Sequence, residues 1–483
     1  VSHTVRSRET KRCSDCHVSE ANDNNAWMAQ LLTLGTGFVN FVGRHAWVAL
    51  GEHGLAAVEV SHWREPQAVI GSFLERLAYP QGYAEHQARD RVLTTSHQHH
   101  ASGAVQDLQL RGEYLFAAMG HAGMRVFDVA NIDNKDFSER IVTAPVSPLG
   151  QDLHIPSRDA AAVALPTTMP VAPWRTPLPE NLEQPMHPIY HYALIADREE
   201  GLILVNVDTL TNAEPRDNFL ERALLFNPDG VLDGAQALRI AGTWVLVGCD
   251  RGLVVLDLDV PLAPRVLAVI EELEDVRDIE VQFRYAFVAD RKGLAVVDIT
   301  EPEMPRVAAR LDNLGSLQGL YVARTYAYLA AGSRGLVIVD IEQPTAPRVD
   351  RVWNADGRLR DTRDVVIGST GVSLFAYLAD GKNGLAVAQL TSPETVAGYL
   401  GFSPRPAPEL IATYATGGEA VALSRGLDRD RAVDESGHQV SVFGRIGARP
   451  FTLEEMRRLY LRDHDVYRVR DDLAAPAREE PRP

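Results

Sequence analysis

Tyr326-Ala-Tyr-Leu-Ala330, followed by Gly335-Leu-Val-Ile-Val-Asp340 and by Pro344 and Pro347, is the stretch that decides the fold. Two short runs of β-branched and aromatic residues flank a polar turn, and glycine closes the turn where positive φ is needed. The same order recurs at Tyr285-Ala-Phe-Val-Ala289 with Gly293 and Asp298, and at Trp244-Val-Leu-Val-Gly248 with Gly252 and Asp257. Each copy ends on a pair of prolines (Pro261 and Pro264, Pro302 and Pro305, Pro344 and Pro347), outside the ladders that proline would break. The turn glycines stand 41 and 42 residues apart.

Weaker copies extend the series to seven: Trp47 with Gly54, Tyr114 with Gly123 and Tyr192 with Gly201 before it, and Phe375 with Gly384 after it. In one regular unit the strands are expected over 276–281, 285–289, 294–299 and 306–310. Four short strands per repeat of about 42 residues is the pattern of a β-propeller, whose blades stack radially and bury one another's faces. The fold class expected is therefore all-β: a seven-bladed propeller over residues 38–450, with a short helical segment at 1–37 and a C-terminal helix and charged tail at 451–483. Long insertions are expected in the early blades, at about 70–110 and 131–190, the second carrying ten prolines between Pro145 and Pro188. Gln439-Val-Ser-Val-Phe443 is a candidate for the strand that closes the ring, and Thr452 with Glu455 forms a capping box for a helix through about Leu461.

Leu336-Val-Ile-Val-Asp340 spells the motif of the LVIVD-repeat β-propellers, which the chain resembles over roughly residues 38 to 400. That resemblance implies the fold and leaves function open, because propellers host binding and catalysis alike.

Composition narrows the classes. The 483 residues carry a net charge of −17, which argues against nucleic acid as the partner, since phosphate binding needs a basic face. No run of 18 apolar residues exists to form a spanning helix. Three cysteines exclude a disulfide framework, and Cys249, alone in an apolar run, is expected to be a buried inert thiol.

Two of the three cysteines make the motif that carries chemistry. Cys13-Ser-Asp-Cys16-His17 is C-x-x-C-H, the c-type haem attachment sequence: two thiols at this spacing add across the haem vinyl groups, and the next histidine reaches the iron. A redox dithiol would be expected in a βαβ setting, and structural zinc would need a second ligand pair. Neither accompanies it, so covalent haem c is the cofactor expected. Trp27 and Met28, with Leu31 and Leu32, fall at helical spacing and would either cover a porphyrin face or pack on the propeller. With His3 ten residues ahead of Cys13, the segment resembles the repeating units of multihaem c-type cytochromes. The resemblance implies that His3 is a distal ligand to this haem or to a neighbouring one.

Thirteen of the fifteen histidines lie between His3 and His191. His97, His99 and His100 are alternative ligands for haem iron, copper or zinc, or solvated loop residues. His53 and His121 occupy equivalent turns of successive blades and would face one mouth of the ring or merely decorate the turns; His187 and His191 are weaker candidates. The acids Asp428, Asp430, Asp434 and Glu435 lack calcium-loop spacing.

The function expected is an exported c-type cytochrome, periplasmic or extracellular, acting in electron transfer rather than catalysis. Its partners would be redox proteins, possible multihaem subunits among them, or an upstream part of the same polypeptide. The rival readings are a haem-and-propeller oxidoreductase with a second histidine-bound metal, and a surface binding module with a structural haem.

Overall fold

The computed structural model describes residues 44–62, 68–101, 103–111, 114–129, 132, 142–143, 153–166, 187–210, 220–370, 373–397 and 403–425, with the backbone of four two-residue strands beyond them. Seven antiparallel sheets form a ring; the strands of each are consecutive in sequence except in blade 1, which takes its inner strand from the C-terminal side. Blades 4 to 6 are the regular ones. Blade 5 runs Asp278–Gln282, Tyr285–Ala289, Gly293–Asp298 and Arg306–Asp312, from the channel outward. These are the four runs read from the sequence, within two residues at each end. The second strands of the seven blades begin at His45, Tyr114, Tyr192, Trp244, Tyr285, Tyr326 and Ser373, so all seven copies are blades.

The repeat motif has a physical reading at each end. The third strand is flat against its neighbours, and Leu336, Val337, Ile338 and Val339 are all fully buried. Burying such side chains contributes roughly 1.5–3 kcal/mol each. The terminal aspartate does different work. Asp340 accepts the backbone N–H of Glu342 at 3.0 Å and faces Arg348 at 3.1 Å. Asp298 does the same with Thr300 and Arg306, and Asp257 with Asp259 and Arg265. The arginines are 68–80% exposed, so each ion pair contributes about 1 kcal/mol or less. The local turn around the aspartate is therefore the stronger restraint on the proline loop.

The turn glycine is required by contact as well as by φ. At Gly293, φ is +151° and a Cβ would lie 2.1 Å from the carbonyl oxygen of Leu311 on the fourth strand. At Gly335 the same substitution would meet Trp353 at 2.5 Å.

The ring closes differently from the sequence expectation. Ala422–Leu423 pairs with the second strand of blade 1, His45–Ala49, and completes that blade from the C-terminal side. The segment 439–443, expected there, lies outside the described residues, and the closing position is taken by Ala422–Leu423. Residues 451–460 also lie outside them. Leu461, expected to end a C-terminal helix, is in a two-residue strand paired with Asp465–Val466.

The first insertion folds as two helices, α1 (Phe73–Ala78) and α2 (Pro80–Ala88), the α-helices among the described residues. Ser72 caps α1 by accepting the N–H of Glu75. Glu75 in turn takes the N–H of Gly71 and a 2.7 Å contact from His62 Nε2. Pro80 opens α2, where its missing N–H costs nothing. The pair lies along the outer strand of blade 7, Glu409–Tyr414. Contacts from His86 Nε2 to the Ile411 carbonyl and from Leu93 N–H to the Thr413 carbonyl hold it there. It thus covers a sheet edge beside the ring closure.

Two buried hydroxyls break the economy of this core. Tyr328 and Tyr377 are fully buried, and neither hydroxyl has a hydrogen-bond partner among the described residues. The matching positions of blades 2 and 5 are Phe116 and Phe287. An unsatisfied buried hydroxyl costs about 1–3 kcal/mol. Tyr328→Phe should therefore raise unfolding stability by about 1 kcal/mol in denaturant titrations; a loss would mean that the hydroxyl is satisfied in solution.

Candidate functional site

The inner strands of the seven blades surround a central cavity of about 390 Å³. Its wall is chemically uneven. Asp107, Asp278 and Asp364 each open an inner strand, of blades 2, 5 and 7. Each carboxylate uses one oxygen on the next N–H of its own strand and the other on the neighbouring blade. Asp107 takes Leu108 and Val163 (both 2.9 Å), Asp278 takes Ile279 (2.8 Å) and Leu320 (2.7 Å), and Asp364 takes Val365 and Leu423 (both 2.7 Å). Three of the seven blade-to-blade steps are thus bridged by a carboxylate, and one of these is the closing step.

The same carboxylates titrate unusually. Burial pushes Asp107 up from 3.8 to about 6, against the lowering effect of its backbone hydrogen bonds. Burial raises Asp278 too, offset first by Arg425, and raises Asp364 well above the ordinary range, with Asp278 adding repulsion.

Guanidinium groups share the channel. Glu280, one turn of the pleat along from Asp278, holds Arg239 Nη2 at 2.7 Å and also binds Arg425 Nη1. Burial and the Arg239 charge lower Arg425 to about 10. Arg111 lies with its guanidinium 4.7 Å from the Tyr190 ring centre and donates to the Tyr190 carbonyl at 3.3 Å. The channel is therefore a lined, charge-compensated interior. It can hold a small polar ligand by hydrogen bonds, and no histidine or cysteine is among the described residues that line it.

Those residues singled out in the sequence that the structure describes lie elsewhere. His3, Cys13, Cys16, His17, Trp27, Met28 and the acids 428–435 fall outside the described residues. Ser96–His99 is the outer strand of blade 1. The His97 ring lies 6.0 Å from that of His45, while the His99 ring meets Phe127 of blade 2 edge-on at 5.2 Å. His100 is exposed beyond the strand end. The three do not converge, and among the described residues no three His, Cys, Asp or Glu side chains are arranged to hold a metal ion.

His53 and His121 sit in exposed turns between second and third strands, which places both on one face of the ring. His121 Nδ1 donates to the Arg158 carbonyl at 2.6 Å, and that bond raises its pKa. His187 is buried and accepts the N–H of Ile189; His191 pairs with Asp208 at 2.6 Å. Cys249 is buried as expected, and burial raises its thiol.

The channel acids were missed, although a signal existed. Gln106-Asp107-Leu108, Arg277-Asp278-Ile279 and Arg363-Asp364-Val365 share a polar–Asp–aliphatic start that alignment of the first strands alone would expose.

These features define a seven-bladed β-propeller. The LVIVD repeat family matches residues 102–141, 274–312 and 315–351, in blades 2, 5 and 6, so the propeller carries LVIVD repeats. No curated protein matches the chain. Similar solved structures include the β-propeller domain of Cps50 (Swd1) from Myceliophteria thermophila, at 12% identity and TM-score 0.43, covering 72% of this chain and 98% of that one. A functionally unknown protein from Desulfotomaculum acetoxidans is 12% identical, with TM-score 0.41 over 66% of this chain and 86% of that one. The computationally designed Ika8 protein is also 12% identical, with TM-score 0.39 over 62% and 73%. At these scores the likenesses carry nothing about function.

Asp107 gives a pH prediction. With its pKa near 6 in the fold and 3.8 in the unfolded chain, the folded state takes up a proton as pH falls through 6, and stability rises until about 3.8. Asp107→Asn removes that contribution. Its thermal midpoint relative to the wild type should therefore be more favourable at pH 7.5 than at pH 5; a constant difference would refute the raised pKa.

Proposed function

We propose that this protein is an exported c-type cytochrome that transfers electrons, with its haem segment carried on the propeller as a rigid scaffold. The observation that carries the reading is Cys13-Ser-Asp-Cys16-His17, in a chain whose one other cysteine, Cys249, is buried in blade 4. The donor set fits haem c: two thiols for thioether bonds and one imidazole for the iron. Bound haem supplies a one-electron couple. Cys13 and Cys16 would fix its position, and His17 would set the proximal field. His3 would be the distal ligand, here or on a neighbouring haem, with His97, His99 and His100 as alternatives. Trp27 and Met28 would exclude water from the ring.

His17 stands 27 residues before Arg44, where the described chain enters blade 1. That length would let the haem segment dock on the ring as a module of its own. The acidic chain would meet redox partner proteins, other multihaem cytochrome subunits among them, or an upstream part of its own polypeptide. Covalent haem attachment takes place outside the cytoplasm, so a periplasmic or extracellular site follows from the same reading.

Expression in a host with the haem c maturation system tests this directly. The haem should stay with the polypeptide through acid–acetone extraction, and Cys13→Ala with Cys16→Ala should release it all. Haem retained by the double variant would end the proposal. The ferric spectrum should be low-spin and lack the charge-transfer band of methionine ligation, and His3→Ala should convert it toward high spin. An unchanged His3→Ala spectrum would shift the distal role to His97, His99 or His100.

A further inference from the structure

The closing strand is unusually short. Ala422 and Leu423 pair with Ala49 and Val48, whereas the inner strands of the other blades pair over four to seven positions. Flanking bonds add little: Val421 N–H donates to the Ala49 carbonyl and Ser424 N–H to the Trp47 carbonyl. Two residues past Leu423, the chain places Arg425 in the channel. Its guanidinium reaches blade 5, three blades away across the ring. There it binds Glu280, lies 3.4 Å from Asp278 Oδ1, and sits 5.9 Å from the ring centre of Tyr321 on blade 6.

We propose that Arg425 is a latch for the propeller, its guanidinium seated in a guanidinium-binding cradle of Asp278, Glu280 and Tyr321 across the channel from the strand it secures. The cradle suits this group in particular. Glu280 is 4% exposed, and its second oxygen is already committed to Arg239, so the carboxylate is fixed in place before Arg425 arrives. Two acceptors on alternate residues of one strand match a forked planar donor, and the Tyr321 ring offers its face to the same cation. An ammonium would satisfy the charge but neither the fork nor the plane.

Withdrawing Arg425 leaves Asp278 and one Glu280 oxygen without their cation in a buried setting. Removing one partner from such a cluster is strongly destabilising even where forming the cluster gained little. The loss would be felt first at the strand the latch secures. Ring closure and occupancy of the channel cradle are thereby one equilibrium, so any guanidinium that competes for the cradle loosens the closing strand.

Hydrogen exchange of the full chain reads this residue by residue. In Arg425→Met, the amides of Val421, Leu423 and Ser424 should exchange about tenfold faster or more, while those of Trp244–Cys249 in blade 4 stay as in the wild type. Glu280→Gln should have the same local effect, and the double variant should be no worse than Arg425→Met alone. Millimolar methylguanidinium can fill the emptied cradle but is not tied to the closing strand, so it should leave the strand of Arg425→Met as unprotected as sodium chloride at equal ionic strength does. Should Arg425→Met fail to fold, Arg425→Lys and Glu280→Gln carry the comparison, with Arg425→Lys intermediate between wild type and Glu280→Gln. Unchanged protection, additive effects in the double variant, or protection restored to Arg425→Met by free methylguanidinium would overturn the latch.

Discussion

Ring closure is the constraint on which this structure depends. Blades 4 to 6 are each built from strands close in sequence, joined by short turns, and form with little loop entropy to overcome. Closure alone demands contact between residue 49 and residue 422. Two ladder positions are a thin return for that contact, and the fold reinforces them from three sides. Asp364 takes the N–H of Leu423 from blade 7, the Ser424 hydroxyl accepts the Leu110 N–H from blade 2, and the α1–α2 pair runs from blade 1 onto the outer strand of blade 7. Side chains supply there what the backbone supplies elsewhere in the ring.

The periodic part of this design was legible in the sequence, because burial on both faces imposes it. A third strand packed between two neighbours must be apolar at every position, and a glycine must stand where the fourth-strand carbonyl approaches. Leu336 to Val339 and Gly335 meet those demands, and equivalents recur in blades 4 and 5. What breaks the period was not legible. Ala422-Leu423 is too short for a pattern, so Gln439 to Phe443, which alternates well, drew the assignment of the closing strand. The α1–α2 insertion was expected as a length, not as helices. Its signal was local, Ser72 with Glu75 and Pro80, inside a segment that reads as a loop.

The channel was harder to see for a related reason. Its carboxylates belong to strands already explained by their apolar neighbours, and a single aspartate at a strand start reads as turn chemistry. Only the ring brings Asp107, Asp278 and Asp364 to one wall, and only across it does Arg425 find Glu280. Buried ionic groups of this kind are poor sources of net stability. In a repeat protein they can still specify, since identical blades offer many wrong pairings and a charge meets its partner in one closure only. The other four inner strands carry a small residue at the position of these acids, Ala162, Ala237, Gly319 and Ala422, so the bridged steps are marked individually.

The histidines separate into two groups on the same reasoning. His97 and His99 lie on the outer strand of blade 1, their rings against His45 and Phe127, and His187 and His191 are held by Asp and backbone partners beside blade 3. To serve as an iron ligand, His97 would have to leave its contact with His45 inside blade 1, or His99 its contact with Phe127 of blade 2. Iron ligation by His99 would then be set against the packing of blade 1 on blade 2. On the proposed reading, a haem held by Cys13 and Cys16, with His17 and His3 from the same segment, would make no such demand. The propeller would then stay a fixed scaffold while the proposed redox group varied its state.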